Sequence, residues 1–334
     1  MSHCGLDLVD GRDPLGRDVP LDHVLATKVL GVPMRFESNS QAVIDIAAEA
    51  FNEPTGPIKS WRRRPLTVRV VVYHDDRAVD TPVRVWSPDP TRLVLHGPDR
   101  VAFTDPVRRS AIAYVSCALV ARRTVFRQAV LEQLTFGLVD HYDRYPLHAA
   151  AIARENTAVL LYGPSGAGKS TLAYAAHLAG LTVVSDDVVW VQLRPRPAVW
   201  GPPGHARRIS LMTDARERFP TLTSMEPTML PNGKRKLSVP LDDARPAPLR
   251  IEHAVVCLIG RSSTGTVLSR ERPEQIADAL GHSIEPGFDR FPARVSACAR
   301  ALAGAGGWRL AISDDVSTAV PHLVVMLDAA QRMS

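Results

Sequence analysis

Eight consecutive residues near the middle of the chain have the types and spacing that hold a polyphosphate. Glycine allows the left-handed backbone that turns successive amides toward a phosphate, and a following helix adds its positive end. In this pattern a lysine reaches the β- and γ-phosphates, and a serine hydroxyl binds magnesium. The run matches the P-loop, or Walker A, pattern GxxxxGK[ST], which Thr171 extends: Gly163-Pro164-Ser165-Gly166-Ala167-Gly168-Lys169-Ser170.

The flanking sequence has the order of elements that a P-loop requires. Residues 158–162 are continuously apolar and predict a buried strand, residues 169–179 predict a helix, and residues 181–185 predict a second strand. This is the order of a βαβ unit. We therefore predict a nucleotide site, although the same cradle serves motors, switches and kinases.

Two adjacent carboxylates, Asp186 and Asp187, directly follow the second predicted strand. A right-handed βαβ crossover brings the carboxyl ends of both strands to the same edge of a sheet. An isolated Asp-Asp pair is more often a turn or a helix cap. In this position, however, one carboxylate can hold magnesium while the other accepts the proton of an attacking hydroxyl.

Three segments together resemble the HPr kinase/phosphorylase family, including its kinase-like relatives in lasso-peptide biosynthesis. They are His148-Ala-Ala-Ala, the GPSGAGKST run and Val184-Ser185-Asp186-Asp187-Val188, within residues 146–193 of the 334. The resemblance implies an α/β P-loop catalytic domain of the HPr kinase and phosphoenolpyruvate carboxykinase type. It also implies ATP- and Mg²⁺-dependent phosphorylation of a serine in a peptide or small protein, by an enzyme that forms oligomers.

The resemblance assigns roles to individual residues. It implies that Lys169 binds the β- and γ-phosphates, that Ser170 and Asp187 hold the metal, and that Asp186 is the general base. It also implies that His148 lies near the transferred phosphate. Without the family pattern, a histidine at the start of a strand is more often structural than catalytic.

The chain departs from the family after the Asp pair. The bifunctional enzymes carry an acidic metal ligand and an Arg-Gly signature there, whereas residues 201–210 contain no acidic residue. This departure argues against phosphorylase activity and against HPr as the substrate. Arg207 within this stretch either binds a phosphate or an acidic substrate, or decorates a loop.

Two lysines further along the chain are candidates for contact with the nucleotide. Only five of the 40 basic residues are Lys, and two of these five are Lys234 and Lys236. A lysine is a compact point charge that serves a phosphate differently from a guanidinium. The alternative is the tip of a solvated hairpin.

Length and periodicity predict two domains. We expect a loosely ordered arm over residues 1–25 and a β-rich α+β domain over residues 26–123 that contributes to substrate recognition. A linking helix over residues 124–143 and a kinase domain over residues 144–334 would follow. Within the first domain, residues 29–36, 66–73, 83–86, 93–95 and 111–120 read as strands, and residues 40–51 as an amphipathic helix.

Composition argues against several other classes of protein. The formal charge of +5 is spread along the chain and has one short basic run, at residues 62–64, so no nucleic-acid partner is expected. The four cysteines have neither zinc-site nor disulfide spacing. No apolar run reaches the length of a membrane span and no signal peptide is recognisable, so we expect a cytoplasmic protein without a membrane partner.

The alternatives to a peptide kinase are a small-molecule kinase and a nucleotide-binding regulator or scaffold that transfers nothing.

Overall fold

The computed structural model describes residues 19–51, 64–76, 84–89, 92–203, 208–229, 234–241, 250–282, 292–304 and 306–332. The chain is a mixed α/β protein with several sheets. It divides into two compact units, Met1–Val139 and Asp140–Ser334. No helix in the described ranges is both long and apolar enough to cross a membrane. The predicted domain boundaries at residues 123/124 and 143/144 stay predictions.

The first unit is built on one seven-stranded sheet in the order β1-β2-β3-β7-β6-β5-β4. The pairs β2/β3 and β3/β7 are parallel, and the other neighbours are antiparallel. The strands are β1 (His23–Val29), β2 (Val32–Ser38), β3 (Leu66–Tyr73), β4 (Arg84–Asp89), β5 (Arg92–Gly97), β6 (Arg100–Asp105) and β7 (Ser110–Ser116). Since β1 begins at His23, the last residues of the predicted arm belong to a strand.

Helices of the first unit pack against this sheet. Helix α1 contacts β1 and β2, and α4 contacts β6 and β7. The Phe36 and Phe51 rings are stacked with centroids 5.4 Å apart, and Phe136 meets Phe51 edge-on. The helices are α1 (Gln41–Phe51), α2 (Cys117–Ala121), α3 (Arg123–Phe126) and α4 (Glu132–Val139), with a π-helical turn at Arg127–Leu131 between the last two.

The predicted single strand over residues 29–36 is wrong, because a hairpin turn interrupts it. Leu30 and Gly31 both have positive φ, 51° and 73°. A two-residue hairpin turn requires this backbone, which matches the twist of the flanking strands. Leucine rarely adopts it, so the sequence read as one apolar run.

The predicted strand over residues 111–120 is also too long. The strand ends at Ser116, whose hydroxyl accepts a hydrogen bond from the Leu119 amide at 3.1 Å and so caps α2. The sequence analysis missed β6 entirely.

In the second unit, the residues that the structure describes form three sheets. Their orders are β11-β9-β10-β18-β20-β19, β17-β13-β12-β8 and β14-β16-β15. The strands are β8 (Tyr145–Leu147), β9 (Ala150–Arg154), β10 (Thr157–Tyr162), β11 (Thr182–Ser185), β12 (Val189–Gln192), β13 (Ala198–Trp200), β14 (Arg208–Met212), β15 (Thr228–Met229), β16 (Arg235–Pro240), β17 (Arg250–Ile251), β18 (His253–Arg261), β19 (Val267–Glu271) and β20 (Gly307–Ile312). The helices are α5 (Lys169–Leu178), α6 (Ala215–Arg218), α7 (Pro273–His282), α8 (Pro292–Ala303) and α9 (Val320–Gln331).

Strand β10 lies inside the six-stranded sheet and is covered on both faces. Val159 and Leu161 join a buried cluster with α5 and α9, whereas Leu160 and Tyr162 join a second cluster with α7 and α8. A strand buried on both faces reads as a continuous apolar run. The predicted strand over residues 158–162 is therefore confirmed.

Residues 147–153 contribute to two different sheets. Strand β8 pairs with β12 in the four-stranded sheet, and β9 pairs with β10 and β11 in the six-stranded sheet. His148 lies in the break between them. Because β9 is antiparallel to both neighbours, β10 and β11 run in the same direction with β9 between them, which keeps their carboxyl ends at one edge.

Gly307 provides a test of how tightly this sheet packs. A Cβ atom there would lie 2.5 Å from the Val256 carbonyl oxygen and 2.9 Å from Ile276 Cδ1, whereas a Cβ at Gly281 in α7 would meet nothing within 4 Å. We expect Gly307→Ala to lower the free energy of unfolding by about 1–3 kcal/mol. The control, Gly281→Ala, should leave it unchanged or raise it by up to about 1 kcal/mol. Urea denaturation of both variants measures this, and equal midpoints would contradict the packing.

Candidate functional site

A cavity of about 360 Å³ lies at the edge where β10, β11 and β18 end. Its lining combines the P-loop, both residues of the Asp pair, His148 and the two candidate lysines. The structure thus brings together most of the predicted site residues. Arg207 lies outside the described residues.

The P-loop conformation depends on its glycines. Gly166 and Gly168 have φ of +83° and +102°, which glycine adopts without strain. A Cβ at Gly163 would lie 2.6 Å from the Ile259 carbonyl oxygen, so only glycine lets the loop start this close to β18. Helix α5 begins at Lys169, directly after the loop, and Ala167 is buried beneath it.

Lys169 is buried against the loop that precedes it. Its ammonium group donates hydrogen bonds to the carbonyl oxygens of Gly163 at 2.7 Å and Pro164 at 3.2 Å. A buried ammonium group needs such acceptors. The positive charge therefore stays within the cradle, beside Ser165, Ser170 and Thr171 in the cavity lining.

Asp186 is the buried member of the Asp pair, with 8 % of its surface exposed. One carboxylate oxygen accepts a hydrogen bond from the Ser210 amide at 2.8 Å. Burial raises the pKa of Asp186 to about 6, and the charge of Asp187 adds to the increase. The hydrogen bond from Ser210 and the charge of Lys236 oppose it. A carboxylate with a pKa near the working pH is suited to accept a proton.

Asp187 points in a different direction from its neighbour. Its side chain is 67 % exposed, and one carboxylate oxygen lies 3.4 Å from Nδ1 of His148. The Ser185 hydroxyl accepts hydrogen bonds from the amides of Asp187 and Val188, both at 3.2 Å, and so shapes the turn after β11. The two carboxylates therefore have different environments, and His148, from the break between β8 and β9, lies beside the exposed one.

The oxygen donors around the cavity fit a magnesium ion. The Ser170 hydroxyl lies 3.4 Å from the Asp186 carbonyl oxygen, which places the P-loop serine beside the Asp pair. Mg²⁺ prefers hydroxyl, carboxylate and phosphate oxygens. The family resemblance assigns Ser170 and Asp187 to this ion, and that assignment stays a prediction.

The two lysines reach the cavity from the three-stranded sheet. Strand β16 carries Lys236 opposite Met212 of β14, and Lys234 directly precedes this strand. Both lysines line the cavity. Lys236 also lowers the pKa of Asp186, so its charge acts on the candidate base.

Sequence analysis missed Arg261. Strand β18 is the parallel neighbour of β10, and Arg261 is its last residue. The guanidinium carbon lies 3.9 Å from where a Cβ of Gly168 would be. The carboxyl ends of parallel strands share one edge of a sheet, which places Arg261 at the site in the same way as Asp186.

Asp214 also lines the cavity. This acidic residue follows residues 201–210, where the family's acidic metal ligand was expected. Asp214 follows β14, and one carboxylate oxygen accepts a hydrogen bond from Arg218 at 3.3 Å. Residues 201–210 contain no acidic residue, and the chain brings Asp214 to the site from four residues further on. The alternation of apolar Ile209 and Leu211 with polar Arg208 and Ser210, followed by a carboxylate, was the signal that could have identified it.

Comparisons with known proteins give structural matches but no sequence match. No family model matches the chain, and no curated protein matches it. Among solved structures, the chain is similar to the HPr(Ser) kinase/phosphatase from Coxiella burnetii, with 13 % identity, 56 % of this chain and 97 % of that chain covered, and a TM-score of 0.26. A score this low does not establish a shared fold, so the proposals below rest on the residues of this chain.

The raised pKa of Asp186 predicts a specific effect on stability. Because this pKa is higher in the folded chain than the ordinary value of 3.8, ionisation of Asp186 costs stability as the pH rises from about 4 through about 6. Asn is neutral and can still accept the Ser210 hydrogen bond. We expect Asp186→Asn to be more stable than the wild type at pH 8 by about 1–3 kcal/mol, with the difference vanishing near pH 4.

Thermal and urea denaturation across this pH range measure the difference. An Asn variant that is equally stable, or less stable, at pH 8 would show that burial does not penalise the Asp186 carboxylate.

Proposed function

We propose that this protein is a kinase that uses ATP and Mg²⁺ to phosphorylate a hydroxyl group, in particular a serine of a peptide or small protein. One observation carries the proposal: a buried carboxylate with a pKa of about 6, Asp186, lines the same cavity as the P-loop lysine and serine. Carboxylates with a raised pKa beside a binding cavity are typical of catalytic sites, which favours transfer over nucleotide binding alone.

In this reaction the acceptor oxygen attacks the γ-phosphorus, and the bond from that phosphorus to the β–γ bridging oxygen breaks. ADP leaves with the electron pair. Asp186 orients the acceptor hydroxyl and takes its proton. Lys169 neutralises charge on the phosphates, and the helix that it begins directs amide groups toward them.

The remaining charged groups would assist the transfer. Ser170 and Asp187 would hold Mg²⁺, which supplies electrostatic stabilisation of the charge that develops on the phosphoryl oxygens. Lys234, Lys236 and Arg261 add positive charge around the cavity. His148, in contact with Asp187, would position that carboxylate and lie close to the transferred group.

The choice of a peptide serine rests on the family resemblance of three short segments. A small-molecule kinase would use the same cavity, and a regulator or scaffold would bind nucleotide without transfer. The cytoplasmic location and a homo-oligomeric state are likewise proposals from the sequence. Product identification separates the three functional classes.

We expect the purified protein, with γ-labelled ATP, Mg²⁺ and a cellular extract of peptides and proteins, to form labelled phosphoserine. Asp186→Asn should lower the rate by about 10²–10⁴-fold because the general base is lost. ATP affinity should change little, because the P-loop is intact. Mass spectrometry identifies the product, and calorimetry measures nucleotide binding.

Glu274→Gln, on the exposed side of α7, is the matched control and should keep full activity. Label confined to small metabolites would replace the peptide acceptor with a small molecule. Tight ATP binding without any labelled product would refute transfer altogether, and full activity of Asp186→Asn would remove the base assignment.

The pH dependence of transfer should report the environment of Asp186. A base must be unprotonated to act, so kcat/KM of the free enzyme should rise with pH and level off above the pKa of about 6. Lys236 lowers this pKa, so Lys236→Met should move the rise to higher pH, whereas Lys236→Arg should not. An identical profile for Lys236→Met would show that another group controls the rise.

A further inference from the structure

We propose that the first unit carries a zinc site made of His74, Asp76 and Cys117, separate from the candidate kinase site. One donor atom from each residue lies within 4.8 Å of the others. The three donors are an imidazole nitrogen, a carboxylate oxygen and a thiol sulfur. These are the ligand types that zinc prefers.

The strand register of the first unit brings these residues together. Strands β3 and β7 are parallel neighbours, and Tyr73, the last residue of β3, is opposite Ser116, the last residue of β7. His74 and Cys117 each follow these paired residues directly. Their positions at one sheet edge are therefore fixed by backbone hydrogen bonds.

Backbone contacts fix the position of the thiol further. The Asp75 carbonyl oxygen accepts a hydrogen bond from the Ala118 amide at 3.2 Å, and Cys117 Sγ lies 3.3 Å from the same oxygen. The loop after β3 is thus attached to the start of α2. The backbone hydrogen bond from Ala118 to Asp75 does not depend on the thiol proton, so it keeps Cys117 beside the loop that carries Asp76 when the thiolate forms.

The donors of His74 and Cys117 each lie near one oxygen of the Asp76 carboxylate, at a distance close to an edge of a zinc tetrahedron. Bonds of about 2.0–2.3 Å give tetrahedral edges of roughly 3.3–3.7 Å. Cys117 Sγ lies 3.2 Å from one Asp76 carboxylate oxygen, and His74 Nε2 lies 3.8 Å from the other. Small rotations of exposed side chains bring the three donors onto one ion.

Three protein ligands leave the fourth zinc position to solvent, as in zinc sites with an exchangeable ligand. The His74 and Asp76 side chains are 86 % and 79 % exposed, so the ion and its fourth ligand are accessible. A thiolate and a carboxylate together neutralise Zn²⁺. Binding releases the thiol proton to solvent.

The other described cysteines are poor competitors for the metal. Cys257 and Cys298 are both buried, and burial raises the pKa of each thiol, that of Cys298 to about 12. Only a thiolate is an effective zinc ligand. Among the described cysteines, Cys117 is therefore the one expected to give a thiolate–metal absorption.

Cobalt substitution tests the site in the full chain. After chelator treatment, titration with Co²⁺ should give one equivalent of tetrahedral Co²⁺ with a thiolate charge-transfer absorption, and Zn²⁺ should displace it. Cys117→Ser should abolish the charge-transfer absorption. His74→Ala and Asp76→Asn should each weaken Zn²⁺ binding by at least about 10-fold, because replacing even a residue that only hydrogen-bonds to a metal ligand lowers metal affinity by roughly that much.

Two control variants separate this proposal from the others. Cys4→Ser should keep the signal; Cys4 itself lies outside the described residues. Lys169→Ala should also keep the signal, because a metal bound by oxygen ligands at the P-loop gives no thiolate absorption. The outcome of this test is therefore independent of whether the protein is a kinase. Absence of a thiolate band in the wild type, or its persistence in Cys117→Ser, would overturn the zinc site.

Discussion

The close approach of the P-loop to strand β18 is the constraint on which the candidate site depends. Strand β10 is buried on both faces and pairs in parallel with β18, so its direction and its end point are fixed. Gly163 then passes the Ile259 carbonyl oxygen with no room for a side chain. This contact fixes where the P-loop begins. The positions of the loop, of the start of α5 and of Arg261 relative to one another depend on it.

Burial of Asp186 links the stability of the fold to the chemistry of the site. The pKa of this carboxyl group is raised mainly because the group is removed from water, and backbone amide hydrogen bonds and the charge of Lys236 offset only part of that cost. The same desolvation makes the carboxylate a better proton acceptor near neutral pH. A surface carboxylate such as Asp187 avoids the cost, and it is better suited to hold a cation than to act as a base.

The sequence predicted elements and residues whose signal is local. The P-loop glycines, the buried run of β10 and the carboxylates after β11 can each be read within a few residues. The signals that were missed are nonlocal or depend on one unusual backbone conformation. Leu30 adopts a positive φ that leucine disfavours, and the division of residues 147–153 between two sheets depends on pairing with β12, some forty residues along the chain.

In both units the carboxyl ends of two parallel strands bring distant residues together, but one of these sheet edges is buried and the other is exposed. In the second unit the carboxyl ends of parallel β10 and β18 bring Lys169 and Arg261 to one cavity, and in the first unit the ends of β3 and β7 bring His74 beside Cys117. Neither pairing is visible from spacing in the sequence, because the partners are separated by dozens of residues. The buried edge shifts the pKa of a carboxylate toward neutral pH and so favours proton transfer. The exposed edge leaves the His74 and Asp76 donors open to solvent, which favours exchange of a metal ion and its ligand. Burial of Asp186 at one edge, and the donor types of His74, Asp76 and Cys117 at the other, therefore determine which chemistry each edge can support.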